Sequence, residues 1–167
     1  MNLPSKMISI EQATQKDMSE VAKLSMELLK HENELTGNYF TVYSHEYYVK
    51  KFEQKLNDGQ CILVAKINNN VVGFLMAEFL KTPWYRNNDV CMIDEVSVSE
   101  KHRSCGIGTA LFKKVLSICK DKNIEEVKLN VYNANVGAKN LYERLGFRDL
   151  RQQMSLVLKR NSLERDS

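Results

Sequence analysis

The chain has few of the residues that break a fold into separate parts. Only two prolines and seven glycines occur among its 167 residues, and no low-complexity stretch divides it into halves. A chain of this length folds most simply as one domain around a single buried core. We therefore expect one domain over residues 1–160 and a frayed tail over residues 161–167.

Long apolar runs and long runs of one charge are also missing. No stretch approaches the roughly 20 apolar residues of a membrane span, and the N-terminal MNLPSKMISIEQ lacks the apolar core of a secretory signal. Lysine and arginine are interleaved with acidic residues, and the net charge is only +3. These absences predict a cytoplasmic protein that binds neither membrane nor nucleic acid.

Cysteine pairs of the Cys-x-x-Cys type are absent. The four cysteines are widely spaced, at Cys61, Cys91, Cys105 and Cys119. This spacing fits neither a zinc site nor the disulfide framework of a small secreted protein, so we expect free thiols and no metal site. A nucleophilic Cys105 with His102 as its base is an alternative, but the glycines around Cys105 explain the segment better.

The apolar residues that are present predict a mixed α/β fold with helices on both faces of one sheet. The expected order is a strand, two helices, three strands, a helix, a strand, a helix and one or two final strands. Strands are predicted over residues 7–10, 61–67, 71–80, 90–98, 126–132 and 147–158, and helices over residues 17–31, 44–56, 109–120 and 135–145.

The most informative segment is IDEVSVSEKHRSCGIGTALF, from Ile93 to Phe112. It predicts a strand, a loop containing Arg103-x-x-Gly106-x-Gly108, and an amphipathic helix. Glycines leave backbone N–H groups unshielded, the helix start adds free N–H groups, and the Arg103 fork matches phosphate oxygens. This order predicts a pyrophosphate cradle. It is neither a P-loop nor a dinucleotide fingerprint, because the Gly-Lys-Ser/Thr ending and the third glycine are missing.

This segment resembles the acyl-CoA-binding motif of the GNAT superfamily of N-acetyltransferases. The family's strand ending in Val-x-Val and its R/Q-x-x-G-x-G/A loop are matched by 96–98, Arg103, Gly106 and Gly108. A second family motif follows in the right order, at Asn135, Ala138 and Leu141-Tyr-Glu-x-x-Gly146-Phe147. The resemblance covers residues 91–147. It implies a single domain with a mostly antiparallel central sheet flanked by helices on both faces.

The resemblance implies acetyl-CoA as co-substrate. The main chain of Val96 and Val98 would pair with its pantetheine arm, the loop would cradle its pyrophosphate, and Asn135 would meet the arm. Tyr142 matches the tyrosine that protonates the departing CoA thiolate. The implied cofactor contacts are Val96, Ser97, Val98, Arg103, Ser104, Cys105, Gly106, Ile107, Gly108, Thr109, Asn135 and Tyr142.

Acetyl transfer to an amine also needs a group that removes a proton. Two adjacent acids, Asp94 and Glu95, precede Val96 on the motif strand. Strand alternation sends neighbouring side chains to opposite faces, so only one should reach the acceptor unless a bulge intervenes. The sequence favours the two equally. No covalent enzyme intermediate is needed, because the substrates can be held side by side.

The expected function is transfer of an acetyl group from acetyl-CoA to a primary amine of a small molecule or peptide. Glu32, Glu34 and Glu46 are candidates to attract a cationic amine, and an aromatic group is a candidate lining of the acceptor pocket. Its members are Tyr39, Phe40, Tyr43, Tyr47 and Tyr48. Trp84 and Tyr85 are candidates to cover the cofactor cleft or to form a dimer contact. The alternative is a non-catalytic acyl-CoA-binding or regulatory module on the same fold. A homodimer is an expectation from the family alone.

Overall fold

The computed structural model describes residues 8–37, 39–81, 83 and 89–156. Its strands are β1 (Ile8–Gln12), β2 (Cys61–Ile67), β3 (Asn70–Lys81), β4 (Asp89–Val98) and β5 (Glu126–Leu129). Its α-helices are α1 (Met18–Thr36), α2 (His45–Asn57), α3 (Ile107–Asp121) and α4 (Val136–Arg144). The predicted mixed α/β fold is confirmed.

The five strands form one sheet in the order β1-β2-β3-β4-β5. The first four are antiparallel to their neighbours, and β5 alone runs parallel to β4. The β2–β3 hairpin turns at Asn68 and Asn69, which both have positive φ, as asparagines in tight hairpin turns commonly do. The mostly antiparallel sheet that the resemblance implied is therefore present.

Each face of the sheet carries its own apolar core. One core joins β2, β3 and β4 to α3 and α4, with Leu111, Phe112 and Val115 fully buried. The other joins the opposite face to α1 and α2, with Met18, Val21 and Phe52 fully buried. This arrangement follows from helices with one apolar stripe on each side of a sheet that is apolar on both faces.

The helix ends differ slightly from those predicted. Helix α1 continues five residues past the expected end at His31, and Gly37 closes it in the left-handed conformation at φ 75°. The polar residues of its last turns hid this extension from a periodicity argument. Ser44 caps α2 as predicted, its side chain accepting a hydrogen bond from the Tyr47 backbone N–H.

The prediction of a final strand over residues 147–158 is wrong for its described part. Residues 147–156 contain no strand, and Leu150, Met154 and Leu156 are all more than 70% exposed. A strand requires a hydrogen-bonded neighbour, and apolar residues alone do not supply one. Strand β5 is likewise shorter than predicted and ends at Leu129. Several further expectations lie outside the described residues, at residues 7, 84–85, 157–158 and 161–167.

Among the described residues, no helix combines the length and the apolar character needed to cross a membrane.

Candidate active site

The site is built where β4 and β5 part. Their parallel pairing begins at Val90 and Glu126 and ends at Ile93 and Leu129, whereas β4 continues to Val98. Antiparallel pairing with β3 occupies the other edge of β4 up to Val98. Within the described residues, the edge of β4 from Asp94 to Val98 therefore has no strand partner on the β5 side. An extended ligand can pair with such an edge as an added strand.

A β-bulge lies on β4 at the start of this open edge. Ile93 pairs with Ala77 and Glu95 pairs with Met76, so Asp94 is an extra residue without a counterpart on β3. Ile93 and Val96 therefore both face the α3 core although they are three residues apart. The bulge brings the Glu95 carboxylate into contact with both α1 and α2, and it brings the Asp94 carboxylate within electrostatic range of Lys51 and Lys55 on α2. Simple alternation would not place both side chains on that face.

The Glu95 carboxylate is fully engaged. Ser25 Oγ donates to its Oε2 at 2.6 Å, and Lys51 Nζ donates to its Oε1 at 3.0 Å. Lys51 in turn lies over the rings of Tyr48 and Phe52, 5.6 and 5.2 Å from their centroids. Glu95 thus ties the bulge to both α1 and α2, which makes it an anchor of the site.

The Asp94 carboxylate is placed differently. It forms no hydrogen bond or ion pair with the described residues, and it is accessible to solvent at one side. Asp94 is an exposed residue, but neighbouring protein atoms remove enough water from its carboxyl group to raise its pKa above the ordinary range of aspartate. Lys55 and Lys51 oppose the shift, while Glu78 and Glu95 reinforce it. Asp94 is therefore the adjacent acid whose lone pairs are free to accept a proton.

The glycine loop leaves backbone N–H groups available at the start of α3. Gly106 adopts φ 78° and has no side chain to cap the helix, and the first turn carries no acidic residue. The N–H groups of residues 107–109 therefore have neither an intrahelical acceptor nor a side-chain cap from Gly106, and they lie at the positive end of the helix dipole. Ser104 also has positive φ, at 61°, and the loop residues from Arg103 to Gly106 are exposed. This geometry suits an anion such as pyrophosphate.

Two packing contacts hold this cradle in place. Ile107 is buried, and a Cβ on Gly108 would come within 3.2 Å of Leu141 on α4, so α3 and α4 meet closely here. Arg103 donates from Nε to the Val98 carbonyl at 3.3 Å. That bond orients the guanidinium and leaves its terminal nitrogens for a ligand.

Tyr142 and Asn135 lie on α4 and at its start. Tyr142 is 9% exposed and packs edge-to-face with Phe112 and Phe147, with centroids 5.5 and 6.0 Å apart. The Tyr142 hydroxyl forms no hydrogen bond with the described residues. Since every fully buried polar side-chain atom of those residues has a hydrogen-bond partner, this hydroxyl is not fully buried and reaches solvent. Burial, with Glu32 nearby, raises the pKa of Tyr142 to about 12. Asn135 caps α4 by accepting from the Ala138 N–H at 3.1 Å, which leaves its amide N–H₂ free.

The structure brings most of the predicted site residues together around the parting strands. Val96 and Val98 lie on the open edge, with Ser97 between them. Ser97 is 7% exposed, and its carbonyl oxygen lies beside Gly73 of β3, so it does not face the open edge. Ser104, Cys105 and Thr109 belong to the cradle. Glu34 and Glu46 point to solvent, with side chains 79% and 77% exposed, so they do not line the site.

Ser25 and Lys51 belong to the site but were not found from the sequence. Ser25 bonds to Glu95 across 70 residues of chain and Lys51 across 44, and no local sequence pattern encodes such separations. Ser25 had a weak signal, because it is a polar residue on the apolar stripe of α1. The sequence also carried a signal of the bulge, because the apolar residues at 91, 93, 96 and 98 break the two-residue alternation of a regular strand.

The structure assigns no nucleophilic role to the four cysteines. All four are free, and Cys61, Cys91 and Cys119 are buried thiols whose pKa burial raises. Cys105 is exposed and forms no hydrogen bond with His102, whose ring nitrogen Nδ1 bonds to Ser99 Oγ at 2.7 Å, so the structure does not pair the two residues of the alternative interpretation. No group of three or more potential metal ligands occurs within the described ranges.

Comparison with known proteins shows the family of the chain. A model of the acetyltransferase (GNAT) family matches residues 28–147, which is more than half of the chain. The chain belongs to the GNAT acetyltransferase family. The resemblance seen in the two motifs is therefore confirmed, and the match extends upstream into α1.

Curated relatives of the chain carry acetyltransferase names. It is 30% identical over 99 residues to the probable N-acetyltransferase camello of Xenopus tropicalis, covering 59% of this chain and 43% of that protein. It is 34% identical over 80 residues to thialysine N-epsilon-acetyltransferase of Mus musculus, covering 48% of this chain and 46% of that protein. The chain thus spans less than half the length of these relatives.

A solved structure matches over almost its whole length. The tetramutant of the BH1408 protein from Bacillus halodurans superposes with a TM-score of 0.82 at 25% identity, covering 90% of this chain and 99% of that one. The fold described above is therefore shared with this solved protein.

Proposed function

We propose that this chain is an acetyl-CoA-dependent N-acetyltransferase that transfers the acetyl group directly to a primary amine. The observation that carries the proposal is the juxtaposition at the parting strands. The open edge of β4, the uncapped start of α3 and Tyr142 of α4 belong to elements that pack together on one face of the sheet, and the unpaired Asp94 carboxylate lies at the start of that edge. We take the space between these groups as the cleft that binds the substrates. Membership of the acetyltransferase family supports the same chemistry.

Acetyl-CoA fits the chain's own groups. The N–H groups of residues 107–109 and the terminal nitrogens of Arg103 would hold its pyrophosphate. The open main chain of Val96 and Val98 would pair with its amide-bearing arm, and the free amide of Asn135 would donate to that arm. Backbone N–H groups near Val96 would also stabilise the negative charge that develops on the thioester oxygen.

Asp94 is the proposed base. An amine attacks only after it loses a proton, and a carboxylate with a raised pKa is a better acceptor than an ordinary aspartate. Glu95 is less suited because both its oxygens already accept strong hydrogen bonds from Ser25 and Lys51. We assign Glu95 to positioning the bulge, with proton transfer to Asp94 occurring directly or through a water.

Tyr142 is the proposed acid. Its raised pKa keeps the hydroxyl protonated at neutral pH, so it can donate to the sulfur as the C–S bond breaks. A thiolate released within the protein has a greater proton affinity than one in water, because burial disfavours the charged form. The new N–C bond forms as the C–S bond breaks, so no acyl-enzyme intermediate is involved.

The acceptor is proposed to be the amine of a small molecule. The thialysine acetyltransferase of mouse is named for a small amino-acid acceptor. In this chain the α1–α2 connection lies against the loop after β5 through a Phe40–Tyr132 ring contact of 5.9 Å, which narrows that end of the cleft. A peptide chain passing through would need that end open.

The test is release of free thiol from acetyl-CoA across a panel of diamines, aminoglycosides, amino acids and short peptides. We expect turnover with at least one small amine and an N-acetylated product of one added acetyl group by mass spectrometry. If acetyl-CoA binds but no amine in the panel is acetylated, the non-catalytic acyl-CoA-binding module becomes the better interpretation.

Replacing Gly106 with alanine tests the cradle. A side chain at φ 78° is strained by about 1–2 kcal/mol, so the loop should flatten and lose its aligned N–H groups. We expect the KM for acetyl-CoA to rise about tenfold, with the KM for the amine unchanged. Gly137→Ala is the matched control, since its backbone is not left-handed and nothing lies within 4 Å of the added Cβ. Equal effects of the two substitutions on acetyl-CoA would contradict the assignment.

A further inference from the structure

Helix α1 places a second carboxylate over the cleft. Ser25 bonds to Glu95 at the bulge, and Glu32 lies seven residues further along the helix. Seven residues are two turns, so Glu32 occupies the same face about 10 Å beyond Ser25. Its carboxylate lies close enough to Glu95, Tyr132 and Tyr142 to interact with each electrostatically. Glu32 therefore lies on the same side of α1 as the Ser25–Glu95 contact, within electrostatic range of Tyr132 and Tyr142.

The Glu32 carboxylate is not neutralised by the protein. Within the described ranges it forms no ion pair or hydrogen bond through its carboxyl group, although it is half-buried. Glu95 by contrast has Lys51, and the exposed Glu34 lies 4.0 Å from His31. A half-buried charge without a counter-charge is costly, and a cationic ligand would remove that cost.

Aromatic rings lie near the end of α1 that carries Glu32, and hydrogen bonds from the neighbouring Asn33 hold one of them in place. Asn33 accepts from the Phe40 N–H at 2.7 Å and donates to the Phe40 carbonyl at 2.9 Å, which pins the α1–α2 connection. Phe40 then contacts Tyr39 and Tyr132, with centroids 5.2 and 5.9 Å apart. We call Tyr39, Phe40 and Tyr132 the aromatic wall.

The aromatic wall has no cation of its own. In the part of the chain that the structure describes, the cations over aromatic rings are Lys51 and Lys122, and neither lies over the wall. Ring faces attract alkylammonium groups, most strongly where water is partly excluded. Tyr39 is nonetheless 69% exposed and Tyr132 37% exposed, so a ligand can reach both.

We infer that Glu32 and the aromatic wall bind a second positive charge of the acceptor, so that the preferred substrate is a slender diamine. This inference rests on the proposed function. One amine would lose its proton toward Asp94 and react, while the distal ammonium would be held by the Glu32 carboxylate against the wall. Glu32 is then a specificity-determining residue, and Asn33 is a positioning residue that holds Phe40 in the wall.

The test is equilibrium binding by calorimetry in the presence of CoA, with 1,4-diaminobutane and 1-aminobutane as probes. The two differ by one ammonium group. We expect the wild-type chain to bind the diamine about tenfold more tightly, as one charged hydrogen bond predicts. Glu32→Gln should reduce this ratio to about one, and Glu32→Asp should retain part of it. Glu34→Gln, the same charge change two residues away on an exposed side chain, should leave the ratio unchanged.

Several outcomes would overturn the inference. These are equal affinity of the wild-type chain for the two probes, no binding of either, and a diamine preference that survives Glu32→Gln. Turnover is measured separately with 1-aminobutane at high concentration and with the wider amine panel. If the diamine binds through Glu32 but no amine is acetylated, Glu32 and the aromatic wall form a diamine-binding site and the proposed catalytic function fails. If amines are acetylated without any diamine preference, the proposed catalytic function stands and the inference about Glu32 fails.

Discussion

Replacing Tyr142 with phenylalanine should lower kcat about 100-fold or more while acetyl-CoA binding persists. A positioned acid contributes roughly 10²–10⁴-fold to rate, and this substitution removes only the hydroxyl. The ring contacts with Phe112 and Phe147 remain, so the core between α3 and α4 keeps its packing. The measurement is steady-state thiol release together with calorimetric titration of CoA.

The Tyr142 experiment has a matched control and a pH signature. Tyr48→Phe removes a hydroxyl from another buried tyrosine, in the core on the opposite face of the sheet, and should leave kcat within about twofold. Because the pKa of Tyr142 is raised to about 12, its ionisation should produce no falling limb in wild-type activity below about pH 11. Comparable losses in the two variants, or retained kcat in Tyr142→Phe, would exclude Tyr142 as the acid.

Replacing Asp94 with asparagine should produce the second large loss, about 100-fold or more in kcat/KM for the amine. A base must be deprotonated to act, so wild-type kcat/KM should rise with pH through the Asp94 pKa. Burial raises that pKa, so the rise should lie at higher pH than an ordinary aspartate would give. In Asp94→Asn this part of the pH profile should disappear. Rate measurements at saturating acetyl-CoA over a broad pH range check both effects.

The thermal stability of Asp94→Asn should not fall together with its activity. The folded-state pKa of Asp94 is raised, so its interactions favour the protonated form and ionised Asp94 costs free energy above that pKa. Asparagine removes the cost, so the thermal midpoint at neutral pH should stay the same or increase. A fall in the midpoint would indicate that the lost activity reflects unfolding.

Glu95→Gln separates the two adjacent acids. It breaks the ion pair with Lys51, whose side chain is 32% exposed, and leaves that charge unpaired next to α1. We expect a lower thermal midpoint, with the pH-dependent rise in kcat/KM retained. If Glu95→Gln removes the rise and Asp94→Asn does not, the roles of base and anchor must be exchanged.

Features encoded by neighbouring residues were predictable from the sequence. The Ser44 cap, the turn at Asn68 and Asn69 and the α3 start at the glycine loop each depend on the conformational preferences of a few adjacent residues. The predicted final strand, which is absent from the structure, shows the limit of predictions made from neighbouring residues. Residues 147–156 contain the apolar positions of a strand, yet they form none, because pairing depends on a partner elsewhere in the chain.

The sequence alone determined the elements of the cleft, namely the glycine loop, Arg103, Tyr142 and the two adjacent acids. Their spacing along the chain expresses local geometry and the family to which the chain belongs. The tertiary structure alone decided which acid is engaged and which is free. Ser25 and Lys51 reach Glu95 across 70 and 44 residues, and the bulge that turns Asp94 toward α2 exists only in the pairing of β3 with β4. A carboxylate's chemistry is set by its neighbours in space, so only the folded chain could distinguish the two.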